Sequence, residues 1–165
     1  MKVKEKTSVI YLHGLHANKK GIKNTFLRKT FGKVYDPSID YSDSNVWEDI
    51  KTKVIELNPD YIIGSSMGGW FAYTLGNLLG IKTILFNPAI TKRSVEPFIP
   101  KSDLEGGKPT NHRIILGRED VVIDPIETIT TLALRGISDY EFEYTENGHR
   151  TPVDVFTNTL LKYCN

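Results

Sequence analysis

The sequence predicts an α/β fold, a mainly parallel sheet of about five to six strands with helices on both faces. Two observations carry this expectation. Short β-branched or aromatic runs alternate along the chain with longer stretches whose apolar residues recur at helical spacing. The residues best suited to chemistry, His13-Gly14-Leu15, Ser66, Asp120 and His149, each fall just past the carboxyl end of a strand candidate, where open parallel sheets gather function. At 165 residues, a single domain over 1–165 is expected, long enough to bury a substantial core.

Residues 7–12 form the first strand candidate, β-branched and aromatic, ending at His13-Gly14-Leu15-His16. Residues 18–30 carry Ile22, Phe26 and Leu27 among lysines and an arginine, the pattern of a surface helix. A short second strand over 32–36 stops at Pro37. Ser44 is a candidate cap for a helix reaching Leu57, with Val46, Trp47, Ile50, Val54 and Ile55 inward and Asn58-Pro59 as its stop. Tyr61-Ile62-Ile63 reads as a buried strand, 69–79 as an apolar helix, and 82–86 as a strand closed by Asn87-Pro88. Residues 91–110, rich in proline and glycine, read as a mobile flap and not as a second domain. A strand over 113–116 follows, with His112 before it expected at the surface. Pro125 opens a helix that Gly136 ends. The alternating run 140–144 is the last strand, Asn147-Gly148-His149 a turn, and 152–163 a closing helix with Val153, Phe156, Leu160 and Leu161 inward.

Composition narrows the function classes. Hydrophobic residues at 39% and charged residues at 25% are ordinary for a soluble globular protein. The 21 basic and 20 acidic residues leave a net charge of +1, so neither nucleic acid nor an anionic membrane is an expected partner. The basic cluster Lys2, Lys4 and Lys6, diluted by Glu5, reads as a solvated end. The apolar run at 8–12 is too short for the core of a signal peptide, and no run approaches membrane-spanning length. A single cysteine, Cys164, offers neither an intramolecular disulfide nor a cysteine-rich metal site. The cytoplasm is the expected compartment.

The chain is organised around Gly64-Ser65-Ser66-Met67-Gly68, a G-x-S-x-G pattern between the apolar strand at 61–63 and the apolar helix from 69. A tight strand-to-helix turn presents its central serine at the end of the sheet, and small flanking residues let strand and helix approach. Only Ser66 is centred between the glycines, which leaves Ser65 the weaker nucleophile candidate. A serine hydroxyl needs a neighbouring base, and histidine accepts and returns a proton near neutrality. A carboxylate must then hold the imidazole's tautomer. Ser66, Asp120 and His149 follow in that chain order. Asp124, directly before Pro125, competes for the acid role but better suits a helix N-cap, and Glu119 is third.

Acyl transfer also needs donors for a developing oxyanion. The backbone N–H of Met67 and that of Leu15, in the loop after the first strand, are the candidates. His13 is expected to brace that loop, and His16 to be a solvated loop residue. Four scattered histidines with no matching carboxylate cluster suggest no metal. The first βα turn lacks Gly-x-Gly-x-x-Gly, so no dinucleotide or other cofactor is expected.

Tyr11-Leu-His-Gly-Leu15, Ile63-Gly-Ser-Ser-Met-Gly-Gly69, Gly117-Arg-Glu-Asp120 and Gly148-His149 together resemble the α/β-hydrolase superfamily. More narrowly, the chain resembles the small, capless YqiA/YcfP-type esterases of the UPF0227 group, over nearly its whole length. The resemblance implies a compact α/β-hydrolase domain without a large lid, and hydrolysis through an acyl-enzyme. Ser66 would be nucleophile, Asp120 acid and His149 base, with Leu15 and Met67 as oxyanion donors. The antiparallel strands that open a full hydrolase sheet are missing, and residues 88–108 are too few for a lid domain. A shallow, open pocket and a short-chain acyl ester as the small-molecule substrate are therefore expected. A thioesterase or deacylase with the same triad, or an idle hydrolase scaffold used for binding, are the alternatives.

Overall fold

The computed structural model describes residues 7–15, 17, 21–136 and 138–164. Lys2, Lys4, Lys6 and His16, as well as the first residues expected in the 18–30 helix, lie outside the described residues.

Six strands form one sheet: β1 (Ser8–Leu12), β2 (Lys33–Tyr35), β3 (Tyr61–Ser65), β4 (Lys82–Phe86), β5 (Asn111–Gly117) and β6 (Asp139–Thr145). Their order is β2-β1-β3-β4-β5-β6, and every neighbouring pair is parallel. The helices are α1 (Ile22–Thr30), α2 (Val46–Leu57), α3 (Met67–Leu79), α4 (Lys101–Leu104), α5 (Pro125–Arg135) and α6 (Val153–Tyr163).

Strand periodicity divides the core in two. Ile10, Leu12, Ile62, Leu85, Ile114 and Leu116 point to one face, where Trp47, Phe71 and Leu132 of α2, α3 and α5 cover them. Val9, Tyr11, Ile63, Ile84, Phe86 and Ile115 point to the other, against Leu27 of α1 and Phe156 and Leu160 of α6. Strands with both faces covered need apolar residues at successive positions, which is why these runs are hydrophobic without a polar side.

The strand order places the site. From β1 the chain moves outward to β2, then returns across β1 to β3 and proceeds the other way. That reversal opens a crevice beyond the carboxyl ends of β1 and β3, the usual binding position in such sheets. Leu12 pairs with Gly64, and Ser65 with Phe86, so three neighbouring strands end at about the same level.

Several local features depart from the sequence expectations. No side chain of Ser44 caps α2; Asn45 occupies the cap position, and the Asp43 carboxylate accepts from the Asn45 amide at 2.8 Å. The 91–110 segment is fastened and not a loose flap. Asp103 of α4 accepts from Trp47 Nε1 at 2.7 Å and pairs with Lys51 at 2.8 Å, and Ile99 is buried.

His112 is the clearest correction. Strand β5 begins at Asn111, so this residue is fully buried and not at the surface. Its Nε2 donates to Asn77 Oδ1 at 2.8 Å and its Nδ1 accepts from Thr83 Oγ1 at 2.7 Å. Tyr73 and Tyr140 flank the ring. Burial lowers its pKa from 6.5 to about 4. Between those values the unfolded chain binds the proton more readily, so this stabilisation is complete above about pH 6.5 and is lost as pH falls toward 4. In urea unfolding followed across that interval, wild-type protein is expected to lose on the order of 2–3 kcal/mol more than His112→Gln. Parallel losses in the two proteins would show that His112 titrates alike in both states.

Candidate active site

Ser66 stands between β3 and α3 with φ 52° and ψ −114°, a backbone conformation that L residues rarely adopt. The surrounding glycines make it possible. A Cβ on Gly64 would lie 2.3 Å from the Gly68 carbonyl oxygen, and one on Gly68 would lie 1.9 Å from the Leu12 carbonyl oxygen. No side chain fits at either position without displacing backbone. Hydrogen bonds then fix the corner: Ser66 N–H donates to Phe86 O at 3.0 Å, while Ser66 O accepts from Trp70 and Ala89 amides at 3.1 and 2.8 Å.

The three residues expected to act together do meet. Ser66 Oγ lies 2.8 Å from His149 Nε2, and His149 Nδ1 lies 2.8 Å from Asp120 Oδ2. An ionised carboxylate only accepts, so Nδ1 carries the imidazole proton and Nε2 is left to accept from the serine hydroxyl. The Asp120 side chain is completely buried. Its other oxygen, Oδ1, accepts from the Val122 and Ile123 amides, both at 2.9 Å. These bonds fix which oxygen faces the imidazole.

The rival candidates are engaged elsewhere. Asp124 caps α5, accepting from Ile126 and Glu127 amides at 2.7 and 3.0 Å. Ser65 Oγ faces Tyr11 OH at 3.4 Å on the α1–α6 side. His13 braces its own loop, as expected. Its Nε2 accepts from the Ile39 amide at 3.0 Å, which leaves Nδ1–H to donate to Gly14 O at 2.6 Å. Tyr41 OH donates to the His13 carbonyl.

Leu15 and Met67 line the same cavity as Ser66 and His149. Met67 opens α3, where backbone N–H groups have no partner within the helix. The loop carrying Leu15 passes so close that a Cβ on Gly14 would be 3.2 Å from Ser66 Cβ. The cavity measures about 960 Å³, more than an acetyl or butyryl group fills. Among the described residues, no group of three or more His, Cys, Asp or Glu side chains could hold a metal ion, and no helix is long and apolar enough to cross a membrane.

One residue of the site was not anticipated. Asn87 is buried, with φ 42°. Its Oδ1 accepts from the Gly117 amide at 2.7 Å, and its Nδ2 donates to the Gly148 and His149 carbonyls at 3.3 and 2.9 Å. It thus ties the turn carrying Asp120 to the turn carrying His149. In sequence, Asn87-Pro88 reads only as a strand stop; its position one residue past β4, level with Ser66, was the available signal.

With this geometry in place, comparison with known proteins is informative. A family profile described as an uncharacterised protein family, UPF0227, matches residues 8–117. The chain belongs to the UPF0227 family. Its curated relatives include the UPF0227 protein YcfP of Salmonella gallinarum, 28% identical over an aligned length of 141 that covers 70% of this chain and 77% of that one. A UPF0227 protein of Enterobacter sp. strain 638 is 30% identical over 110 residues, 59% of this chain and 55% of its own length. The chain therefore spans only about half the length of that relative.

Solved structures extend the likeness of this UPF0227 member to α/β hydrolases. One of the metagenome-derived lipolytic enzymes LipS and LipT superposes with a TM-score of 0.68 at 17% identity, covering 96% of this chain and 93% of that one. Mouse α/β hydrolase domain-containing protein 10 gives 0.66 at 14%, covering 94% and 86%. The Bacillus cereus carboxylesterase gives 0.59 at 14%, covering 98% and 89%. The fold is that of an α/β hydrolase, compact and without a large cap, as the motifs implied.

Replacing Asn87 with glycine keeps the left-handed backbone accessible but strands the Gly117 amide. Asn87→Gly is expected to lower unfolding free energy by roughly 1–3 kcal/mol and to accelerate hydrogen exchange at the Gly117 amide. Unchanged exchange there would show that the Asn87 side chain does not join the two turns.

Proposed function

We propose that this protein is a serine hydrolase, a carboxylesterase cleaving small, short-chain acyl esters through Ser66, His149 and Asp120. The observation that carries the reading is the continuous hydrogen-bonded line from Ser66 Oγ through His149 to Asp120, at 2.8 Å in both steps. A binding scaffold has no need of a serine held at a strained corner within reach of an oriented base. The similarity to esterases and lipolytic enzymes in fold supports the same conclusion.

In the first step, Ser66 Oγ attacks the ester carbonyl carbon as its proton passes to His149 Nε2. The imidazolium so formed is stabilised by the buried Asp120 carboxylate. The carbonyl oxygen becomes an oxyanion, facing the Met67 and Leu15 amides; each such donor typically contributes about 3–4 kcal/mol to lowering the barrier. Collapse breaks the bond to the alcohol oxygen, which leaves with the proton from His149. Water then repeats the sequence on the acyl-enzyme: His149 takes its proton, the hydroxide adds to the carbonyl, and Ser66 departs protonated as the free acid is released.

Room in the cavity beyond a short acyl group is available to the alcohol portion. Because His149 serves both as acceptor and as donor, losing it should cost about as much as losing the serine.

The proposal is tested by steady-state hydrolysis of p-nitrophenyl acetate and butyrate. Ser66→Ala and His149→Ala are expected to fall to background. Asp120→Asn, which retains shape but loses the charge and the tautomer control, is expected to fall by roughly 10³–10⁴-fold. Asp124→Asn, acting only on a helix cap, is expected to keep wild-type turnover while losing about 1 kcal/mol of stability. Turnover by Ser66→Ala at the wild-type rate would overturn the proposal.

A further inference from the structure

The cavity at Ser66 carries charge of one sign. Lys23, Lys92, Arg93 and Arg150 all line it, and among the described residues no aspartate or glutamate does. The chain as a whole is nearly neutral, at +1, so this concentration does not reflect a generally basic surface. Behind the lining, Asp120 is fully buried and committed to His149 and two amides, and Asp36 is engaged by Asn24 and Arg28.

These cations differ in how far the protein itself satisfies them. Arg93 is already engaged: it donates to the Ala89 and Ile90 carbonyls at 2.9 and 2.8 Å, pairs with Glu96 at 3.2 Å and lies 3.8 Å over the Trp70 ring. Lys23 donates to the Thr151 carbonyl at 2.7 Å and sits 5.1 Å over the Phe156 ring, with no carboxylate partner among the described residues. Burial pulls its pKa below the ordinary lysine value, the sign of a charge held at a cost. Lys92 and Arg150 are exposed at the rim and form no ion pair among the described residues. Arg150 directly follows the base, His149.

Apolar residues share the lining. Ile22, Val122 and Val153 are 70%, 50% and 38% exposed, and all three border the cavity. A cleft with apolar walls and uncompensated cations concentrates field and favours a ligand that is apolar in one part and negative in another.

We propose that the substrate of the Ser66 site is an ester bearing an anionic group, carboxylate or phosphate, received by Lys92 and Arg150 at the rim with Lys23 further in. The inference rests on Ser66 being the nucleophile, and it identifies what the ester carries and not how it is cleaved. Cations without internal partners exchange hydration for a ligand oxygen, whereas a neutral ester gains nothing from them.

A matched pair of fluorophosphonates tests this, one ending in a carboxylate and the other in its methyl ester. The rate of covalent labelling of the full chain is followed for both at low ionic strength. The anionic probe is expected to label roughly tenfold faster, an advantage that shrinks as salt is raised. In Lys92→Ala/Arg150→Ala the ratio of the two rates should fall toward one. In Lys33→Ala, at the opposite end of the sheet, it should persist. Protection from the neutral probe by inorganic phosphate and by succinate, compared at equal ionic strength, then shows which anion the rim prefers. Equal labelling by the two probes would overturn the inference and leave the serine hydrolase reading intact. Labelling by neither would remove that reading and the inference with it.

Discussion

The approach of β3, α3 and the end of β1 around Ser66 is the constraint on which the rest of the structure depends. Positions 64 and 68 lie so close to backbone that a single methyl group at Gly68 would overlap the Leu12 carbonyl. Only that closeness lets a short turn throw Ser66 outward at φ 52°. Strain at one residue costs on the order of 1–3 kcal/mol, which the packing of Phe71 and Leu75 of α3 against Ile62 and its neighbours in the sheet readily offsets. The same closeness sets the Gly14 loop beside the Ser66 side chain. The exposed serine corner and the fold are therefore consequences of one piece of packing.

Around this corner three buried polar residues that hold the site have both ends of their side chains partnered. Asp120 uses both carboxylate oxygens, Asn87 uses both ends of its amide, and His13 uses both ring nitrogens. Such groups are expensive when half-satisfied and stiff when satisfied. His149 and Asp120 hang on turns after β6 and β5, yet Asn87, one residue past β4, joins those turns to each other. Four neighbouring strand ends thus act as one frame. The basic side chains Lys92 and Arg150 sit outside that frame and are free of ion pairs among the described residues.

Much of this was legible in the sequence because the relevant signals are local. A strand, G-x-S-x-G and a helix are contiguous, so Ser66 could be located without knowing anything else. Asp120 and Asp124 separated on the same ground, since an aspartate directly before Pro125 announces a cap. What stayed hidden depends on distant partners. Asn111-His112-Arg113 looks like the polar edge of a strand; His112 is interior because Thr83 and Asn77, far away in sequence, supply hydrogen bonds to the imidazole. Asn87 looked like punctuation for the same reason. The four-residue α4 is too short to leave a periodic trace, and its attachment to α2 rests on Asp103 meeting Trp47 and Lys51 across about fifty positions.

The most direct test of Ser66 as nucleophile is to map the adduct. Protein treated with a simple alkyl fluorophosphonate, digested and sequenced by tandem mass spectrometry, should carry the phosphonyl group on Ser66 with Ser65 unmodified. An adduct on Ser65, one scattered over surface hydroxyls, or none on well-folded protein would contradict the role given to the corner between β3 and α3.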